Sequence, residues 1–183
     1  SLAMWLSPAS TSLDTNRRRL ISKRTNDNSQ EAYTMYIQGG RIYVRFSGDN
    51  VTVSTVDSVL SAGNWTHLAV VYDGALAGTA ACVRIYVNGA AAATTGGVET
   101  DTSIPDSTAP LWVGHMGGNN ASYTFVGSID EVRIYRGRAL SAEDLAKLQL
   151  PEGTQDAPRI TINAPLAPQT SGISFALSSS VQD

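Results

Sequence analysis

Short apolar runs of period two, each stopped by Gly, Asn, Asp or Ser, fill most of this chain. Successive side chains of a strand point to opposite faces, so such a run has one face to bury and needs paired neighbours and a second layer. The runs are Leu2–Leu6, Leu20–Lys23, Ala32–Gln38, Arg41–Ser47, Val51–Val56, Ala81–Val87, Leu111–Val113 and Phe125–Tyr135. Trp65–Asp73 is apolar on both faces, the pattern of a central strand covered on two sides. Gly39-Gly40 and Asn88-Gly89 read as hairpin turns, because these residues tolerate positive φ. So many short strands without alternating helices predict an all-β antiparallel sandwich of the jelly-roll kind. One short helix closes it. Ser141 with Asp144 resembles a capping box, and Pro151 ends the run Ala142–Leu150.

The texture changes after Leu150. The reading is a β-sandwich over 1–150, a polar linker over 151–158 and a C-terminal β segment over 159–183. That segment resembles the opening of an immunoglobulin-like repeat. Its alternating Ile173, Phe175 and Leu177 also suit a strand that completes this domain or a neighbouring copy.

Charge narrows the partners. Lys and Arg total 13 against 16 Asp and Glu, a net charge of −3, which gives no reason to expect nucleic acid. The basic run Arg17-Arg18-Arg19, with Lys23 and Arg24, reads as a solvated strand end. No apolar segment is long enough to insert in a membrane. The single Cys82 lies in an apolar run and reads as a buried thiol. Trp5 and Trp65 read as core.

The tripeptide Arg-Ile-Tyr recurs at Arg41, Arg84 and Arg133. Each Ile is expected to face a core, and each Arg and Tyr the opposite side. Val83, Ile85 and Val87 are expected to be buried on one face of their strand, with Arg84 and Tyr86 on the other. The Arg and Tyr positions are either ordinary solvated strand surface or a face able to stack on and hydrogen-bond a sugar.

Ordered motifs then carry a family resemblance. Gly63-Asn64-Trp65-Thr66-His67-Leu68-Ala69-Val70-Val71-Tyr72-Asp73-Gly74 resembles the central strand of laminin G-like domains, of the concanavalin A-like lectin/glucanase type. Val83–Gly89 is similar to the hairpin that follows it there. Phe125–Leu140, with Gly127 and Ile129-Asp130-Glu131-Val132-Arg133-Ile134-Tyr135, is similar to the closing strand and helix. Trp5 with Pro8, and Leu20–Lys23, fit the early strands. The resemblance implies a concanavalin A-like jelly roll, an extracellular or cell-surface setting within a larger protein, and a glycan or another surface ligand. It also implies neighbouring domains, and a Ca²⁺ ion to which Asp130 would be a ligand. The family usually has a further strand ahead of the Trp5 strand, beside the closing one. Its absence here raises strand exchange between copies as a mode of self-association.

Trp112, His115, Asn119, Asn120 and Tyr123 cluster around a Gly-rich loop and form the candidate ligand site. Aromatic faces stack on sugars and amides read hydroxyls. Trp112 is flanked by Leu111 and Val113, so a core position is the competing reading.

Catalysis is not expected. A retaining glycosidase needs two carboxylates roughly 5 Å apart, and no strand offers an acid–x–acid pair. Ile129 is out of phase with Val132 and Ile134, which predicts a β-bulge at Asp130-Glu131. Asp130 is either a calcium ligand or, with Glu131, a partner of Arg17, Arg19 or Arg133. Asp27, between Asn26 and Asn28, is a second calcium locus or a turn.

Overall fold

A computed structural model describes residues 1–25, 31–46, 51–116 and 121–149. Its elements in chain order are β1 (Leu2–Pro8), β2 (Arg18–Arg24), β3 (Glu31–Gln38), β4 (Arg41–Phe46), β5 (Thr52–Thr55), β6 (Thr66–Tyr72), β7 (Val83–Val87), β8 (Ala90–Ala91), β9 (Thr94–Gly96), β10 (Leu111–Val113), β11 (Gly127–Ile134) and α1 (Ala142–Lys147). They form two antiparallel sheets, ordered β11-β1-β6-β7-β8 and β10-β2-β3-β4-β5-β9. This is the expected sandwich. Asn119, Asn120, Asp27, the linker and the C-terminal segment lie outside the described residues.

Period-two burial builds the core. Met4 and Leu6 of β1, Leu68 and Val70 of β6, and Val83 and Ile85 of β7 face Met35, Ile37, Ile42, Val44 and Phe46 of the other sheet. Val87, expected in the same row, is only partly buried. β6 is buried along six of its seven residues, as a central strand should be. The hairpin signals hold: Gly39 and Gly40 have φ of 60° and 74°, and Asn88 and Gly89 have 48° and 76°. Cys82 is fully buried. The short β8 and β9 have no apolar alternation and are absent from the sequence reading.

A second, smaller core lies on the outer side of the five-stranded sheet. Ala3, Ala69, Val71 and Tyr86 meet Leu140 and Leu145, and Leu145 is fully buried. The two alanines leave room for the helix to approach. Ser141 caps α1 by accepting from the Asp144 amide, and Asp144 accepts in return from the Ser141 amide, so the capping box forms. Tyr86 and Arg84 do lie opposite Ile85, but Tyr86 is buried under this cover rather than solvated.

Three sequence expectations need correction. Trp65 is 51% exposed, not core. It precedes β6 and lies outside the patch that α1 covers. Trp5 is half-buried on the outer side, with its ring 5.2 Å from that of His67 and inclined at 61°. The Ile of the third Arg-Ile-Tyr, Ile134, is 45% exposed because β11 is the edge strand of its sheet.

The bulge predicted in β11 is present. Ala3 pairs with Arg133 and Trp5 with Asp130, so one extra residue sits in β11 between these pairs, and Glu131 takes φ 47°.

Candidate functional site

Two bulges set the outer face of the six-stranded sheet. Along β2, Arg19 pairs with Tyr36 and Ile21 with Met35, so Leu20 is the extra residue. Leu20 and Ile21 both turn inward, and Arg19 and Ser22 both turn outward. Further on, Lys23 pairs with Tyr33 and Arg24 with Glu31, which skips Ala32 and brings Glu31 to the outer face. There Glu31 Oε2 lies 3.1 Å from Arg45 Nη2. Regular alternation on β4 adds Arg41, Tyr43 and Arg45.

The result is a polar face laid out in tiers. Ser22 and Thr34 are fully buried at its floor, opposite one another on β2 and β3. Arg19 and Arg24 are also buried, at 5% and 4% exposure. Arg41, Tyr43 and Arg45 are half-buried around them, and Arg17 is exposed. The solvated reading of the basic run is therefore wrong for Arg19 and Arg24. Period two counted along β2 puts Arg19 with the inward Ile21, and only the bulge separates them.

Aromatic rings hold the guanidinium groups in place. Tyr36 and Tyr43 are stacked, with centroids 5.0 Å apart and planes inclined by 6°. The Arg19 guanidinium carbon lies 4.7 Å from the Tyr36 ring centroid and 5.5 Å from that of Tyr123. Arg17 also sits over Tyr36, at 5.7 Å, and Arg41 over Tyr43, at 5.3 Å. Burial above all, and then the neighbouring Arg24, pulls the Arg19 guanidinium down to about 10. Burial likewise pushes the Tyr36 hydroxyl up.

Of the five sequence-predicted ligand residues, three are described and all reach the margin of this face. Trp112 pairs with Ser22, which puts it on the outer side at the β10 edge. It is half-buried, its Nε1 is buried without a partner, and its ring lies 4.7 Å from that of His115. Tyr123 is carried by a turn that β2 fixes. Arg19 and Thr124 form an isolated parallel bridge, and Arg18 Nη1 donates to the carbonyls of Ala121 and Thr124, at 2.7 and 3.2 Å. Arg18 is itself held by Asp14, 2.5 Å away, and this pairing lowers the Asp14 carboxyl to about 2.

The remaining sites do not assemble. Arg84 with Tyr86, and Arg133 with Tyr135, belong to the five-stranded sheet, so the Arg-Ile-Tyr echo splits between opposite sides of the molecule. Asp130 is exposed, and its Oδ1 accepts from the Glu131 amide at 2.8 Å. Glu131 pairs with Arg133 at 2.8 Å. Calcium takes six to eight oxygens, and the described residues gather no cluster of three acidic, His or Cys side chains that could hold a metal. The residues around Asp130 do not fit the ion. His67, buried at 2% beneath Trp5, is lowered to about 4 by burial and then by Arg133. It lies on the opposite sheet from His115, so the two histidines share no site.

Comparisons with known proteins agree with this architecture. The family described as the Concanavalin A-like lectin/glucanases superfamily matches residues 1–146. No curated protein sequence matches the chain. Among solved structures, the Ruminococcus gnavus IT-sialidase CBM40 bound to alpha2,3 sialyllactose is similar at 18% identity and a TM-score of 0.61, with 80% of each chain covered. The receptor binding domain of botulinum neurotoxin C/D mosaic serotype is similar at 13% identity and a TM-score of 0.47, over 80% of this chain and 34% of that one. No described helix is long and apolar enough to cross a membrane.

Proposed function

Because this chain belongs to the concanavalin A-like lectin/glucanase superfamily, we propose that it is a non-catalytic carbohydrate-binding module whose ligand lies across the outer face of its six-stranded sheet. One observation carries the reading. On this face the stacked Tyr36–Tyr43 pair lies beside buried side-chain atoms that have no partner, namely Ser22 Oγ, Thr34 Oγ1, Glu31 Oε1 and Trp112 Nε1. Buried polar atoms cost free energy unless they are hydrogen-bonded, and a sugar brings the hydroxyls and the flat apolar faces that such a surface lacks. The CBM40 of similar fold bound to sialyllactose supports a sugar as the ligand.

Absence of turnover is part of this reading, and the same face supports it. Glu31 is the one carboxylate the described residues place there, and Arg45 holds it. Among the described residues, that face offers no second acid for the pair that glycoside hydrolysis uses. Within this reading the domain serves a secreted or surface protein, holding its neighbouring domains near a glycan.

The test is binding of the purified chain to a broad glycan array, followed by titration of the best ligand. At least one glycan should bind, and Tyr43→Ala should weaken it by about fivefold or more through lost stacking. No new reducing ends should appear on prolonged incubation. Absence of binding across neutral and acidic glycans alike overturns the reading.

A further inference from the structure

We propose that the glycan is acidic, and that its carboxylate or sulfate sits over Arg19, Arg24 and Arg45, on the β2–β4 half of the face, while its neutral part extends over Tyr43 toward the Arg41 end of β4. This rests on the glycan-binding reading and names the ligand class for that same site.

The first argument is charge. The chain as a whole is acidic, at −3, yet Arg17, Arg19, Arg24, Arg41 and Arg45 converge on one sheet face where Glu31 is the one carboxylate the described residues supply. Composition therefore does not explain the concentration.

The second is burial without partners. Arg19 and Arg24 are more than nine-tenths buried, and the Nε atoms of Arg19, Arg24 and Arg45 are buried with no hydrogen-bond acceptor. Guanidinium groups this deep are ordinarily paired, since an uncompensated buried charge is costly. Arg19 and Arg24 also repel one another. An oxyanion relieves both penalties, because its lone pairs match the guanidinium fork and its charge cancels the repulsion.

The third is position. Arg41 is already committed, donating from Nε to the Thr55 carbonyl at 2.6 Å and from Nη2 to Ser54 Oγ at 2.8 Å. Arg41 and Arg45 stand at opposite ends of β4, so the committed guanidinium lies at the Arg41 end, and the Nε atoms without an acceptor lie on β2 and at the Arg45 end, which is the part of the site that takes the anion. Ser22 and Thr34, with unpartnered hydroxyls, lie between them to read the sugar next to the charged group.

The experiment titrates the intact chain with matched ligand pairs: sialyllactose against lactose, oligogalacturonate against its methyl ester, and sulfated lactose against lactose. In at least one pair the acidic member should bind about tenfold or more tightly than the neutral one. Added salt should erode that advantage. Arg45→Gln should abolish it, and the melting temperature should fall as Glu31 loses its partner. The responding pair tells carboxylate from sulfate. The ligand-side comparison stands even if the variant misfolds. Equal affinity within every pair overturns the acidic assignment and leaves a neutral glycan module. Binding by no glycan at all overturns both readings.

Discussion

The two outer faces of this sandwich are made by the same alternation and meet opposite fates. On the five-stranded sheet the outward Ala3, Ala69, Val71 and Tyr86 are sealed by Leu140 and Leu145, with Trp5, His67 and Arg84 on the same side. On the six-stranded sheet they are Arg19, Ser22, Thr34, Tyr36, Tyr43 and Arg45, and none of them belongs to either apolar core cluster. Small apolar side chains let a helix dock and become a core; arginines and hydroxyls resist an apolar cover and await a polar one. The first face stores stability, and the second holds most of the buried polar side-chain atoms that lack a partner among the described residues.

That contrast can be broken by substitution. Leu145→Ala should destabilise by about 2–5 kcal/mol in urea denaturation, since it opens a cavity under the helix. Tyr43→Ala on the other face should cost under about 1 kcal/mol. Equal costs would mean that both faces carry the fold. Next in size is a pH effect confined to the sealed sheet. His67 is lowered to about 4 from an ordinary 6.5, so between these values the unfolded chain binds the extra proton. Stability should be intact above pH 6.5 and fall as pH drops toward 4, by up to about 3 kcal/mol. His67→Gln should flatten that part of the curve, and a slope that survives the substitution assigns it to other groups. The smallest effect is at Trp65. Half-exposed outside the helix-covered patch, its truncation to Ala should cost under about 1 kcal/mol, whereas a core Trp costs about 3–5. A large loss there would extend the sealed face past α1.

Where the local pattern runs unbroken, the sequence was legible. The alternation of β4 and β7, the doubly apolar run of β6, the Asn88-Gly89 turn and the capping box at Ser141 could all be read from it. Even the bulge in β11 announced itself as a phase slip of Ile129 against Val132 and Ile134. The proposed binding face was only half legible. Tyr43 and Arg41 follow from alternation, and Trp112 and Tyr123 from an aromatic cluster beside glycines. Arg19, Arg24 and Glu31 do not follow, because two bulges in the β2–β3 pair reassign their faces. The slip is visible in principle, since Leu20 and Ile21 are adjacent apolar residues that cannot both be inward on a regular strand. Trp65 failed for another reason. Its place in the central-strand motif is a property of the chain, but its exposure depends on how far a helix eighty residues later reaches, roughly as tertiary context overrides pattern.

The bulge at Glu131 has a bearing on solubility. β11 is hydrogen-bonded to β1 and forms the edge of its sheet, and it carries Val132 and Ile134 at 36% and 45% exposure. A flat edge with apolar side chains is a template on which further chains can stack without limit. The extra residue kinks this one, and the Glu131–Arg133 pair adds charge along it. A strand approaching from solvent meets a broken ladder of donors and acceptors, so the edge is poorly suited to seeding fibrils.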